Sequence, residues 1–343
     1  MTKRILITGG AGFIGINSAF YYLKKGNKVF IFDNFSRKGS RANVASLQTQ
    51  FNKKDLIVVE GNMSDRTKID ELVNKVDIVL HLAAQVAVTS SVINPREDFE
   101  INALGTFNIL EAVRSSKNKP ILLYTSTNKV YGELDDLKII ERKTRYEFVG
   151  LENGISEERC LDFHSPYGCS KGAADQYVRD YARIYKLKTI VFRQSCIYGP
   201  HQFGVEDQGW VAWFIIALMK NKNITIYGNG KQVRDLLYVD DLIKAYDLAI
   251  ENIETTKGQI YNIGGGVKNT ISVWFEFNPI LQKLFKRKID ILSSDWRPGD
   301  QPIFISDIRK SRKDFGWEPK VGVEDGINRL YAWVSKNQNL FNV

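Results

Sequence analysis

The sequence predicts an α/β fold: a doubly wound parallel sheet with a smaller α/β lobe appended. Three observations predict it. Short continuous apolar runs alternate with helical stretches through the first half of the chain, glycines at 9, 12 and 15 follow the first run, and the texture changes after Arg193. At 343 residues, 43% hydrophobic and 25% charged, the chain can bury one large core and carry a second lobe. The expected division is 1–193 for the sheet domain, completed by about 234–264, with 194–343 mainly the second lobe.

Arg4 to Thr8 is an apolar strand ended by Gly9-Gly10, and Phe13 to Lys25 follows as a helix. Lys28 to Asp33, Leu56 to Glu60, Asp77 to Leu82, Lys119 to Thr125 and Lys188 to Phe192 are further strands. Their runs are continuous rather than alternating, as befits strands covered on both faces. Helices fill the intervals, notably Phe99 to Ser116 and Tyr167 to Tyr185. Beyond Arg193, Trp210 to Lys220 is an aromatic-rich helix, and short strands, glycine turns and helices continue to Trp333. Asp235 to Ile250, with Tyr261 to Gly264, returns to the first domain.

Composition excludes several classes. The net charge of +9 is scattered, with small clusters at Lys53-Lys54 and Lys283 to Lys288. No basic stripe interleaves with aromatics, so a solvated surface is expected rather than a nucleic-acid partner. No run reaches the ~18 apolar residues of a membrane span, and Met1-Thr-Lys-Arg-Ile enters the first strand without room for a signal peptide. Cys160, Cys169 and Cys196 show neither metal spacing nor a disulfide framework, which fits a reducing cytoplasm.

Gly9 allows a tight turn, Gly12 a close backbone approach to phosphate, and Gly15 close helix-sheet packing, so a dinucleotide pyrophosphate should lie on the helix N-terminus. Asp33, about 20 residues on, suits a carboxylate accepting from ribose hydroxyls and repelling a 2′-phosphate. The cofactor is therefore expected to be NAD, although Arg37 and Lys38 nearby could hold a 2′-phosphate. His81-Leu-Ala-Ala-Gln85 ends the fourth strand in small residues that admit a cofactor. Tyr167 and Lys171 stand four apart and share a helix face. An ammonium beside the phenol should lower its pKa, fitting it to exchange a proton with an alcohol while hydride passes to a nicotinamide.

Together these residues resemble the extended short-chain dehydrogenase/reductase family of nucleotide-sugar enzymes. The resemblance runs through Thr8 to Gly15, Asp33, His81 to Gln85, Thr125 to Gly132, Tyr167 to Lys171, Tyr198-Gly-Pro200, Val233-Arg-Asp235 and Arg297-Pro-Gly-Asp300. Ser126 to Gly132, Leu161 to Gln176, Gln202-Phe-Gly and Asp207 to Trp210 are most similar to the branch that epimerises CDP-hexoses at C2, the CDP-paratose/CDP-tyvelose type.

The resemblance implies a Rossmann-type domain, a substrate-binding second lobe, and Thr127, Tyr167 and Lys171 as the catalytic trio. It implies NAD contacts from Gly9, Gly12, Phe13, Ile14, Gly15, Asp33, Asn34, Asn62, Met63, Leu82, Ala83, Ala84, Gln85, Thr125, Tyr167 and Lys171. Substrate contacts would come from Gln85, Thr127, Asn128, Lys129, His164, Ser165, Cys196, Arg234 and Arg297, the two arginines on the diphosphate. Trp210 and Trp213 would line the sugar pocket or pack the core. Sugar-nucleotide dehydratases of the family follow the threonine with Asp-Glu, whereas Asn128 and Lys129 stand here and bring no such acid and base. Cys196 replaces an asparagine common in the family, and Asn62 an aspartate.

The expected activity is C2 epimerisation of a CDP-hexose through a 2-keto sugar. Two alternatives stay open: 4-epimerisation of a UDP- or GDP-hexose with the same trio, and a non-catalytic dinucleotide-binding regulator. A homodimer or homotetramer is implied, packed through the Phe99 to Ser116 and Tyr167 to Tyr185 helices, with Phe107, Leu110, Tyr177 and Tyr181 as its apolar residues.

Overall fold

The computed structural model describes residues 2–297 and 299–341; Met1, Pro298 of the Arg297–Asp300 string, Asn342 and Val343 lie outside them. Seven parallel strands form the central sheet: β1 (Arg4–Thr8), β2 (Lys28–Asp33), β3 (Leu56–Glu60), β4 (Ile78–His81), β5 (Ile121–Thr127), β6 (Thr189–Gln194) and β7 (Gln259–Ile263). Their order across the sheet is β7-β6-β5-β4-β1-β2-β3. The order reverses beside β1, which pairs with β2 on one side and β4 on the other. In such sheets the crevice beyond the strand C-termini at the reversal is where a ligand binds.

Both faces are covered, which is why the strands are largely apolar. On one face Ile16, Ala19 and Leu23 of helix Phe13–Lys24 pack with Leu242, Ala245 and Tyr246 of helix Val239–Glu251. On the other, Ile109, Leu110 and Val113 pack with Ala174, Val178 and Tyr181 of helix Ser165–Tyr185. The 239–263 segment thus adds a helix and the edge strand β7 to the sheet layer.

A buried ion pair locks helix Ser165–Tyr185 to β6. Arg193 donates to both oxygens of Asp175 at 2.9 and 3.0 Å, and also to the Tyr131 hydroxyl at 3.0 Å. Arg193 and Asp175 are 2% and 0% exposed, so the pair holds its geometry without competition from water.

The second lobe has its own core, in which Val211, Phe214 and Ile215 of helix Trp210–Met219 meet Trp274, Phe277, Leu281, Leu330 and Val334. Trp213 packs against this core.

One expectation needs correction. The helix expected over Phe99 to Ser116 is three pieces: Pro95–Phe99, a π turn at Glu100–Leu104, and Gly105–Ser115. The wide turn accompanies a buried Asn102 whose amide donates to the Gln85 carbonyl, Asp98 and the Ser170 hydroxyl, each near 3 Å. Apolar periodicity carries no record of such a polar knot.

Candidate functional site

A cavity of about 700 Å³ opens at the sheet's reversal point and reaches into the second lobe. At one end lie Gly9, Gly12, Phe13, Ile14, Gly15, Asp33, Asn34, Asn62 and Met63. Gly9 has a φ of +67°, and a Cβ there would stand 2.7 Å from the Ala83 nitrogen, so only glycine fits the turn. A Cβ on Gly15 would stand 2.4 Å from the Gly9 carbonyl oxygen, which explains the tight seating of the helix on its own turn. Gly12 differs. Within 4 Å its Cβ would meet only the Gly9 oxygen, so its open side faces the cavity. It is the N-cap of helix Phe13–Lys24, with no side-chain cap and no acidic residue in the first turn. Those uncapped N–H groups and the positive helix end suit a pyrophosphate.

Asp33 closes β2 beside this turn. Its carboxylate accepts from the Ala11 and Phe35 N–H groups at 3.0 and 2.8 Å. Burial raises its pKa, and those backbone donors work against the rise. Two bonds leave a carboxylate with spare lone pairs for ribose hydroxyls. Arg37 points elsewhere, donating to Gln208 of the second lobe at 3.1 Å. The Asn62 amide oxygen accepts from Asn34 at 3.0 Å.

The β4 end is set by His81. Thr106 donates to the Asn102 carbonyl at 2.6 Å, which leaves its oxygen to accept from His81 Nε2 at 3.0 Å. His81 Nδ1 then accepts from the Thr8 hydroxyl at 2.7 Å. Burial and the charge of Lys171 pull this imidazole down to about 3, so it stays neutral and ties β4 to β1. Leu82, Ala83 and Ala84 follow it along the cavity wall, whereas Gln85 folds onto its own loop, bonded to Ala87 N and O at 2.6 and 2.8 Å.

At the other end Thr125, Thr127, Asn128, Tyr167, Lys171 and Cys196 converge. Helix Ser165–Tyr185 starts with Pro166 in its first turn and Ser165 accepting from Gly168 N at 3.2 Å, which sets the rotation of Tyr167. The expected effect of Lys171 on Tyr167 is not what the structure shows. Burial pushes the Tyr167 phenol up to about 12, and the groups that oppose the rise are the Thr127 hydroxyl and the Arg37 charge. Lys171 is engaged elsewhere: its Nζ donates to the Thr125 carbonyl at 2.6 Å and sits 4.3 Å from the Tyr124 ring centre. Burial pulls Lys171 itself down to about 7. Spacing put both residues on one helix face, but the sheet end decided where the ammonium points.

Six expected residues, Gln85, Lys129, His164, Ser165, Arg234 and Arg297, do not line the cavity. His164 is exposed between Glu133 and Asp162, both 3.1 Å away, and Glu133 is the main cause of its raised pKa. Arg234 pairs with Asp300 at 2.6 Å, and Lys129 donates to the Gly299 carbonyl at 2.9 Å. Burial holds the Lys129 ammonium down to about 8. Arg297 pairs with Asp207 at 3.1 Å and lies 3.8 Å from the Tyr227 ring centre. Sequence reasoning missed Ser36, Asn43, His201 and Gln208 on the cavity wall; Arg37 and Lys38, read from the sequence only as a possible hold on a 2′-phosphate, line it as well. The Gln202-Phe-Gly and Asp207-Gln-Gly-Trp210 strings were visible, but nothing in them says that they meet the cofactor-side loop.

The profile of the GDP-mannose 4,6-dehydratase family matches residues 6–330. The chain belongs to this family, the extended short-chain dehydrogenases/reductases. It is 44% identical over 339 residues to CDP-paratose 2-epimerase of Salmonella typhi, covering 97% of this chain and 99% of that one. Its fold is similar to dTDP-glucose 4,6-dehydratase of Streptomyces venezuelae, solved with NAD bound (TM-score 0.83, 26% identical, 99% of each chain). It is also similar to UDP-glucuronic acid 4-epimerase of Bacillus cereus, solved with NAD and UDP-glucuronic acid (TM-score 0.82, 26% identical, 97% of this chain and 99% of that one). Against this background, Asn128 and Lys129 behind Thr127 leave the chain without a carboxylic acid-base pair at that place.

Proposed function

We propose that this chain is an NAD-dependent epimerase that inverts C2 of a CDP-hexose, of the CDP-paratose/CDP-tyvelose type, through a transient 2-keto sugar. The observation that supports it most is one cavity with the glycine turn and Asp33 at one end and Thr127, Tyr167 and Lys171 at the other. The turn, the uncapped helix end and Asp33 would hold NAD, with Lys171 at the nicotinamide ribose. Bound NAD supplies a hydride acceptor that returns the hydride in the same turnover.

Thr127 and Tyr167 hold the C2 hydroxyl between them, and Tyr167, as tyrosinate, takes up its proton as the carbon is oxidised. After the keto sugar has turned its other face, Tyr167 returns that proton to the ketone oxygen. Asn128 and Lys129 offer no carboxyl group for expelling water, so the keto sugar is reduced rather than dehydrated. Arg234 and Arg297 are assigned to the diphosphate, exchanging Asp300 and Asp207 for phosphate oxygens.

The cytosine base and the C2 position rest on the 44% identity to CDP-paratose 2-epimerase. A 4-epimerase is the second reading, favoured by the fold shared with UDP-glucuronic acid 4-epimerase. Phe107, Tyr177, Ile184 and Tyr185 are 39, 53, 63 and 47% exposed on adjoining helices, and we assign that face to a second subunit in a homodimer or homotetramer. Leu110 and Tyr181, expected on that face, are buried against the sheet. No described helix is long and apolar enough to cross a membrane, and the described cysteines are free thiols. We place the enzyme in the cytoplasm.

A panel of CDP-, UDP- and GDP-hexoses carrying deuterium at C2 or C4 tests this. The expected result is inversion at C2 of the CDP-sugar with the C2 label retained in product. Inversion at C4 alone overturns the C2 assignment, and label lost to solvent overturns hydride return.

A further inference from the structure

Thr127 ends β5, and a tight helical turn, Asn128–Tyr131, follows it. Thr127 caps that turn, its hydroxyl accepting from Lys129 N at 3.2 Å. Whatever holds Tyr131 therefore also holds the Thr127 hydroxyl. Tyr131 is buried, its ring stacked on Phe304 with centres 6.1 Å apart and the Arg193 guanidinium 5.0 Å from its own ring centre. Burial pushes the phenol up to about 12, so it keeps its proton at neutral pH.

The Tyr131 hydroxyl sits in a chain of bonds whose direction is fixed. Ser126, Arg193 and Asn262 lie in one row across β5, β6 and β7. Asn262 Nδ2 donates to the Ile155 carbonyl at 2.8 Å, which turns Oδ1 toward Tyr131. An amide oxygen can only accept, so the Tyr131 hydroxyl donates to it, at 2.7 Å, and accepts in turn from Arg193 Nη1 at 3.0 Å. Arg193 uses Nε and Nη2 on Asp175 of helix Ser165–Tyr185, one helical turn beyond Lys171. The chain thus ties the turn behind Thr127 to the helix that carries Tyr167 and Lys171. Ring packing alone would let the turn slide, whereas buried, charge-assisted bonds fix it in two directions. Thr127 and Tyr167 line the cavity, but Tyr131, Arg193, Asn262 and Asp175 do not, so the chain acts through the residues it places.

We propose that Tyr131 is a positioning residue: through Arg193 and Asp175 its hydroxyl sets the Thr127 hydroxyl where it and Tyr167 can share the reacting hydroxyl of the sugar. The assignment rests on the function proposed above, in which Thr127 and Tyr167 hold that group. It gives the buried ion pair a part in turnover besides its part in the fold.

Tyr131→Phe keeps the ring against Phe304 and Arg193 and removes the hydroxyl. With the nucleotide-hexose that the wild type epimerises, kcat and KM are measured per bound NAD for wild type, Tyr131→Phe, Thr127→Val and the double variant. A displaced Thr127 acts on the reacting hydroxyl and leaves the nucleotide and NAD contacts alone. The kcat of Tyr131→Phe should therefore fall by roughly 10²-fold, what an ångström of misplacement costs, with KM and NAD content unchanged. Thr127→Val has no hydroxyl left to place, so adding Tyr131→Phe to it should cost no more than about twofold. Full kcat in Tyr131→Phe, with only a lower thermal midpoint, overturns the proposal and leaves Tyr131 a core residue. Equal losses in the two backgrounds overturn it too, because the effect then bypasses Thr127. A wild type that turns over none of the CDP-, UDP- and GDP-hexoses overturns it together with the function it rests on.

Discussion

Replacing Tyr167 by phenylalanine removes one oxygen from a side chain that is 8% exposed and keeps the ring in place. The fold should barely notice. Thr127, which loses the phenol as a neighbour, still accepts from Lys129 N at 3.2 Å and has Asn128 Oδ1 at 3.5 Å, so no buried polar atom is orphaned. Turnover should fall by about 10² to 10⁴, the usual worth of a positioned acid-base group, or roughly 2.7 to 5.4 kcal/mol of transition-state stabilisation. The pH profile carries a second signature. Burial pushes the phenol up to about 12, so at neutral pH only a small fraction is tyrosinate. That fraction grows about tenfold per pH unit below the pKa, so wild-type turnover should rise with pH through the neutral and mildly alkaline range. The variant should lose both the rate and the slope. Arg37→Ala should move the wild-type limb to higher pH, because the Arg37 charge is one of the two influences holding the phenol down. The assay is sugar analysis of product formed under saturating substrate, with NAD content measured in parallel. Near-normal turnover by Tyr167→Phe with full NAD content would refute the mechanism.

Other perturbations test other parts of the argument. Nucleotide extracted from the denatured wild type should be NAD, and Asp33→Ala should weaken NAD more than NADP; mainly NADP in the extract would show that Arg37 and Lys38 decide the choice. Lys171 is held near 7 in the fold, below its ordinary 10.5. The unfolded chain therefore binds more protons between those values, and stability gains with rising pH from this group. Lys171→Met should lose turnover and shed that gain, so urea unfolding at pH 6.5 and 9.5 should show the wild type improving relative to the variant; a constant gap would contradict the burial argument. Asp175→Ala leaves the Arg193 guanidinium buried and unpaired and should cost about 3–5 kcal/mol in urea unfolding. Tyr177→Glu with Ile184→Glu should yield monomers in sedimentation equilibrium, and a monomeric wild type at micromolar concentration would refute the assigned interface.

The sheet was legible because its strands obey a local rule. A strand covered on both faces must be largely apolar, and β1, β2 and β3 have the boundaries read from their apolar runs. The glycine turn was legible for a related reason: a positive φ at Gly9 and a 2.4 Å approach at Gly15 are backbone demands that only glycine meets. Long-range choices were not legible. Whether Lys171 points at Tyr167 or at the Thr125 carbonyl depends on the end of β5, 46 residues away in sequence. The π turn at Glu100–Leu104 depends on what Asn102 finds across the cavity wall in Ser170. The arginines assigned to phosphate carried their charge in the sequence, but their carboxylate partners, Asp300 and Asp207, were decided by how the second lobe folds back. By itself the sequence determined which elements form and which groups are available for chemistry, since both follow from local backbone and solvation demands. The tertiary structure decided which of those groups meet and which way each proton or charge faces, because desolvation and hydrogen bonding act between atoms that only folding brings together.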